Sequence, residues 1–134
     1  MKIVNLIDYP HLFSSWLLGP TQYVTDRSVS GHPLFEMALS GKAIFVLEDD
    51  DEVRGNATVL VDNRMYGKVA YLEDVAVDPE YRGMGFGKEL VKACVAYAAI
   101  KKAYKIILNC RQELVPFYES LGFGIKDVAM RMDL

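Results

Sequence analysis

A chain of 134 residues and 15.1 kDa is the size of one domain, spanning residues 1–134, with no room for a second catalytic unit. With 51% hydrophobic and 25% charged residues it has the composition of a soluble globular protein, which excludes disorder, collagen and coiled coil. A net charge of −3 argues against a general nucleic-acid binder, and the absence of any long uncharged apolar run argues against a signal peptide or a membrane span, so a cytoplasmic protein is expected.

In chain order, Lys2 to Ile7 reads as a strand and Tyr9 to Leu18 as a helix that Gly19-Pro20 ends. A polar stretch through Gly31-His32-Pro33 leads to a short helix over Pro33 to Leu39, with proline in its first turn. Ala43 to Glu48 and Val53 to Val61 read as strands joined by a hairpin across the acidic run Glu48 to Glu52. Those contiguous acids lack the alternating spacing of a calcium loop, so a solvated turn is expected.

Lys68 to Val77 alternates as a strand, which would put Glu73 and Asp74 on opposite faces in mid-strand, where a charge is costly unless paired or used. Gly85 to Lys101 follows as a helix with Leu90, Val91, Cys94, Val95 and Ala98 along its apolar stripe. Lys105 to Cys110 then reads as a strand, Leu114 to Leu121 as a helix stopped by Gly122, and Phe123 to Met132 as a last strand. The order predicts an α/β (α+β) layer fold with a mixed, mostly antiparallel sheet flanked by helices.

The most informative local feature is Arg82-Gly83-Met84-Gly85-Phe86-Gly87-Lys88, directly after a strand and directly before an amphipathic helix. Glycines let backbone amides converge, and a helix N-terminus adds about half a positive charge, which together suit a pyrophosphate. The spacing matches neither the dinucleotide pattern G-x-G-x-x-G nor the triphosphatase pattern, in which Glu89 would replace the magnesium-binding hydroxyl. The charge distribution agrees: from Arg82 to Lys105 six basic residues face one acidic residue, Glu89. Cys94 and Cys110 are too few for a disulfide scaffold and have no His or Cys neighbour at metal-ligand spacing, so a reducing setting and no metal are expected.

Four blocks together are distinctive: Tyr71-Leu72-Glu73-Asp74-Val75-Ala76-Val77, the Arg82 to Lys88 turn, Tyr104-Lys105-Ile106-Ile107-Leu108-Asn109-Cys110, and Pro116-Phe117-Tyr118-Glu119-Ser120-Leu121-Gly122-Phe123. They resemble the GCN5-related N-acetyltransferase (GNAT) superfamily, and within it the glucosamine 6-phosphate N-acetyltransferases. The likeness covers the C-terminal half; in the N-terminal half it is weak, chiefly Leu18-Gly19-Pro20-Thr21.

The resemblance implies acetyl-CoA as donor, with pantetheine along the backbone of Val75, Ala76 and Val77 and pyrophosphate over Arg82, Gly83, Met84, Gly85, Phe86, Gly87 and Lys88. Asn109 is implied as a further cofactor contact. It implies that Glu73 and Asp74 orient and deprotonate the amine of D-glucosamine 6-phosphate and that Tyr118 protonates the leaving thiolate, within amino-sugar metabolism and UDP-GlcNAc biosynthesis. It further implies a homodimer in which the last strand, Gly124 to Met132, crosses to the partner. Thr21, Glu73 and Asp74 of one subunit would then meet Tyr104, Lys105 and Arg131 of the other. No covalent enzyme intermediate is needed, so both cysteines are expected to be packing residues.

Three positions depart from the family pattern. Asp133 stands where a penultimate Arg usually binds phosphate, Asn109 where Asp often precedes the fifth-strand Cys, and Leu114 where Asn often contacts pantetheine. The first leaves another small amine, such as a polyamine or amino acid, open as acceptor, and a non-catalytic acyl-CoA-binding module is the remaining alternative.

Overall fold

The computed structural model describes residues 1–19 and 41–134. Thr21 and the helix expected over Pro33 to Leu39 lie outside the described residues. Five strands, β1 (Lys2–Asn5), β2 (Lys42–Asp49), β3 (Glu52–Arg64), β4 (Gly67–Val77) and β5 (Lys105–Ile107), form one sheet in that order. The first four are antiparallel, and β5 joins β4 in parallel, which bears out the mixed sheet. Among the described residues three α-helices accompany it: α1 (Phe13–Leu18), α2 (Phe86–Ile100) and α3 (Val115–Glu119).

The acidic run is the hairpin turn its composition suggests. Asp49 pairs with Glu52, and Asp50 and Asp51 form a two-residue connection with φ of 53° and 61°. Both central residues left-handed is the turn whose twist matches that of the flanking strands.

Each face of the sheet carries a core. On one, Leu90, Val91, Cys94 and Ala98 of α2 pack against Ala43, Leu47, Ala57, Val59, Ala70 and Leu72, and Tyr118 of α3 joins them. On the other, Leu6, Leu12 and Trp16 cover Ile44, Val46 and Val53. Gly55 lets α2 approach closely, since a Cβ there would come within 3.1 Å of the Ala76 carbonyl and of Leu90 Cδ1. This period-3.6 stripe on a period-2 sheet is the two-layer packing that the sequence pattern demands.

Several elements differ from the sequence reading. The first strand stops at Asn5, whose side chain accepts from the Ile7 amide and starts a 3-10 turn over Leu6–Asp8. The first helix is a 3-10 turn at Pro10–Leu12 followed by α1. The fifth strand is only Lys105–Ile107, and no strand forms over Phe123 to Met132, where Val128 is 86% and Met130 94% exposed. A strand needs a neighbour for its hydrogen bonds, and the described residues offer that segment none.

The regular alternation expected through Glu73 and Asp74 is also broken. Asn56 lies opposite Ala76 and Thr58 opposite Glu73, so β4 uses three residues where β3 uses two. The extra residue is a bulge with Asp74 at φ 57°. Before it Ala70 and Leu72 face the α2 core; after it Val75 and Val77 do.

Candidate active site

The β4–β5 ladder ends where Tyr71 meets Ile107, and beyond that point the two strands separate. A cavity of about 270 Å³ opens between them, lined by Tyr71, Leu72, Glu73, Asp74, Ile107, Leu108 and Asn109. Glu73 and Asp74, which strict alternation would send to opposite faces, both line this space, because the bulge at Asp74 interrupts the alternation directly after Glu73. Among the described residues the β5-facing edge of β4 from Leu72 to Val77 has no strand partner. Such an edge takes an extended amide-bearing ligand as an added strand.

Past Val77 the chain enters the glycine turn. The Asp78 amide donates to the Arg54 carbonyl at 2.7 Å, and Arg82 Nε donates to the Val77 carbonyl at 2.8 Å, which closes the end of β4. Gly83 and Gly85 have φ of 79° and 85°, and a Cβ at either would point into open space. Glycine is needed here for backbone conformation, not for clearance from neighbouring protein atoms. In α2 the Glu89 amide is the first to return to a carbonyl, that of Gly85 at 3.2 Å. The amides of Phe86, Gly87 and Lys88 precede it and gather at the positive end of a 15-residue helix. Gly87 has a second role, since a Cβ there would meet the Phe117 ring at 3.4 Å.

The residues present therefore fit an acyl-coenzyme A: an open strand edge for the amides of its arm runs into an amide cluster suited to its pyrophosphate. Among the described residues no cluster of His, Cys, Asp and Glu is arranged to hold a metal ion, and no helix is long and apolar enough to cross a membrane.

Tyr118 stands on α3 rather than in the cavity lining, between the rings of Phe117 and Phe123 at centroid distances of 4.9 and 5.8 Å. Burial, with Cys110 and Cys94 adding to it, raises its hydroxyl above the ordinary phenol range, so it remains a proton donor at neutral pH. Burial pushes the Cys94 thiol up to about 12, which makes it a packing group rather than a nucleophile; Cys110 is exposed. Lys105 sits at the start of β5 with its ammonium 5.3 and 5.8 Å from the ring centroids of Tyr104 and Tyr66. The Tyr104 hydroxyl, its main partner, raises its pKa and keeps it cationic. Arg131, on the exposed C-terminal segment, is paired with Asp133 at 2.5 Å. In a single chain, then, Glu73, Asp74 and Asn109 come together, while Tyr118, Tyr104, Lys105 and Arg131 do not line that cavity.

Four residues with a place in this architecture escape sequence reasoning. Lys42 pairs with Glu73 at 3.8 Å, and Asn56, buried in β3, donates to the Asp74 carbonyl. Arg54 and Tyr81 tie the glycine turn to the β2–β3 hairpin, as the Tyr81 hydroxyl donates to Asp49 Oδ2 at 2.8 Å. Of these four only Asn56 carries a sequence signal, an amide within a strand segment, Gly55 to Val61, whose other residues are apolar apart from Thr58.

Residues 12–123 match the acetyltransferase (GNAT) family. The chain is 36% identical over 94 residues to glucosamine 6-phosphate N-acetyltransferase of Trypanosoma brucei brucei, covering 68% of this chain and 64% of that protein. It is 38% identical over 120 residues to glucosamine 6-phosphate N-acetyltransferase 1 of Oryza sativa subsp. japonica, covering 84% and 72%. The match thus spans slightly less than two thirds of the trypanosome relative. Among solved structures, a Trypanosoma brucei acetyltransferase superposes with a TM-score of 0.85 at 29% identity over 99% of both chains. The glucosamine-6-phosphate N-acetyltransferase of Arabidopsis thaliana does so with 0.83 at 26% over 98% and 97%. The open β4 edge, the glycine turn and these likenesses agree, and the chain belongs to the acetyltransferase (GNAT) family.

Proposed function

We propose that this protein transfers an acetyl group from acetyl-CoA to the amine of D-glucosamine 6-phosphate, giving N-acetylglucosamine 6-phosphate. The observation that carries this reading is the cavity between β4 and β5, where Glu73 and Asp74 border the start of a strand edge that runs into the anion-binding turn. The substrate rests on the relatives, several of which are named for this amino-sugar phosphate.

When bound, acetyl-CoA supplies an activated acyl group as a thioester. The open edge of Val75 to Val77 offers amides to its arm, and the amides of Gly83 to Lys88 hold its phosphates. Glu73 and Asp74 attract and orient the substrate ammonium, and Glu73, directly or through water, takes the proton that must leave before the nitrogen can attack. An amide of the same strand edge stabilises charge developing on the acyl oxygen. Tyr118, kept protonated by burial, donates to the departing sulfur. Alignment of amine and acyl group supplies much of the rate, which is why so few side chains are needed.

Under this reading the protein works as a homodimer with shared active sites. The segment from Ile125 to Leu134 leaves Ile125, Val128, Met130, Met132 and Leu134 exposed, an apolar series that a strand exchanged with a second copy would cover. The partner's Tyr104 and Lys105 would then complete the acceptor pocket. Because Asp133 holds Arg131, Lys105 is the better candidate for the sugar phosphate. A panel of amines offered with acetyl-CoA, read by free thiol release, tests the reading. Glucosamine 6-phosphate is expected to outpace spermidine and free amino acids, and preference for either of those assigns a different acceptor.

A further inference from the structure

A polar side chain in the middle of β3 lies within hydrogen-bond reach of the bulge that shapes the cavity. Asn56 is 1% exposed, lies opposite Ala76, and its Nδ2 donates to the main-chain carbonyl of Asp74. That carbonyl belongs to the residue at φ 57°, at the bulge inside β4. For a residue other than glycine this conformation is unfavourable by about 1 kcal/mol or more and persists only where its surroundings enforce it. Across the bulge the main-chain ladder between β3 and β4 is interrupted, so the carbonyl needs another donor, and Asn56 supplies it.

The same residue carries a cost. Among the described residues its Oδ1 is buried without a hydrogen-bond partner. A leucine of similar size would avoid that cost in a strand whose neighbours are Gly55 and Ala57. Packing alone therefore does not account for an amide here, whereas the bond to Asp74 does.

We infer that Asn56 is a positioning residue for acetyl transfer: it locks the β4 bulge and so sets Asp74 at the mouth of the cavity. The inference deepens the proposed activity and rests on it. It separates two halves of the site, because the bulge lies at the reacting end, whereas the glycine turn is fixed by Arg54, Arg82 and α2.

The test is a double-substitution cycle on the full chain with Asn56→Leu and Asp74→Asn, measuring kcat with the best amine of the panel and, separately, coenzyme A binding by calorimetry. Asn56→Leu is expected to lower kcat at least about tenfold while the coenzyme A Kd stays within about twofold of wild type, a split that general destabilisation does not produce. Combined with Asp74→Asn, the loss should fall well short of the product of the single losses. A kcat within about twofold of wild type, equal losses in kcat and coenzyme A binding, or multiplicative losses in the double variant each overturn the inference. If Asn56→Leu does not fold, Asn56→Ala gives a second reading. It too lacks a donor for the Asp74 carbonyl, so kcat should fall while the coenzyme A Kd stays within about twofold of wild type. A kcat within about twofold of wild type overturns the inference. Should no amine in the panel be acetylated by wild-type protein, the proposed function fails first, and coenzyme A binding alone still reports whether the turn is intact.

Discussion

The guanidinium of Arg54 lies 5.4 Å over the ring of Tyr81, and the Tyr81 hydroxyl donates to Asp49, so both strands of the acidic hairpin grip the segment that leads into the glycine turn. Arg54 is itself the extra residue of a bulge, between Gly55 opposite Leu47 and Val53 opposite Glu48, and it also pairs with Glu52 and Asp78. The acids next to the hairpin turn thus help position a ligand-binding loop from the far side.

It follows that Arg54→Ala should raise the KM for acetyl-CoA by about three- to tenfold with little change in kcat, because the loop is held less firmly while the reacting end is untouched. Steady-state kinetics with varied acetyl-CoA measures this. A kcat loss with unchanged KM would place Arg54 in the chemistry instead.

Gly85→Asp combines two faults, a side chain at φ 85° and a negative charge where the amides of α2 converge. Acetyl-CoA affinity should fall by about 10²-fold in calorimetry on a folded variant, corresponding to roughly 2.7 kcal/mol. Unchanged affinity would move the phosphate site elsewhere.

Tyr118→Phe should lower kcat about tenfold or more while leaving acetyl-CoA binding nearly intact, since the ring packing against Phe117 and Phe123 survives. The pH profile gives an independent reading. Burial raises the phenol above its ordinary value of 10.0, so the proton donor persists and wild-type kcat should show no fall between pH 7 and pH 9. A descending limb near pH 8 would assign the acid to another group.

The two thiols should differ sharply. Iodoacetamide is expected to label Cys110 and spare Cys94 in the native protein, because only thiolates react readily and burial holds the Cys94 thiol protonated. Cys110→Ser should retain kcat within about threefold, as direct transfer needs no acyl-cysteine. Mass spectrometry of the labelled protein and kinetics of the variant check both points.

What the sequence makes legible follows from how local each signal is. The amphipathic stripe of α2 apart from Val95, which is exposed, the turn within the acidic run and the paired glycines at Gly83 and Gly85 each depend on a few neighbouring residues, and all are found where composition puts them. The β4 bulge is not of that kind. Tyr71 to Val77 reads as unbroken alternation, and the phase change at Asp74 arises from pairing with β3 and from Asn56, eighteen residues earlier in the chain. For the same reason alternation alone sends Glu73 and Asp74 to opposite faces, and only the family resemblance brings both to one acceptor site. The last strand fails differently. Its apolar pattern over Phe123 to Met132 is plain, but a strand exists only with a partner, and the described residues supply none.

The central claim is tested most directly by comparing glucosamine 6-phosphate with glucosamine as acceptors at saturating acetyl-CoA, following free thiol release and the acetylated sugar by mass spectrometry. The account predicts one thiol per N-acetylglucosamine 6-phosphate formed and a kcat/KM for the phosphorylated sugar about 10²-fold or more above that for glucosamine, since an unpaired cationic pocket discriminates strongly against a ligand lacking the anion. Lys105→Ala should remove much of that preference. Equal use of both sugars, or no acetyl transfer to either, would contradict it.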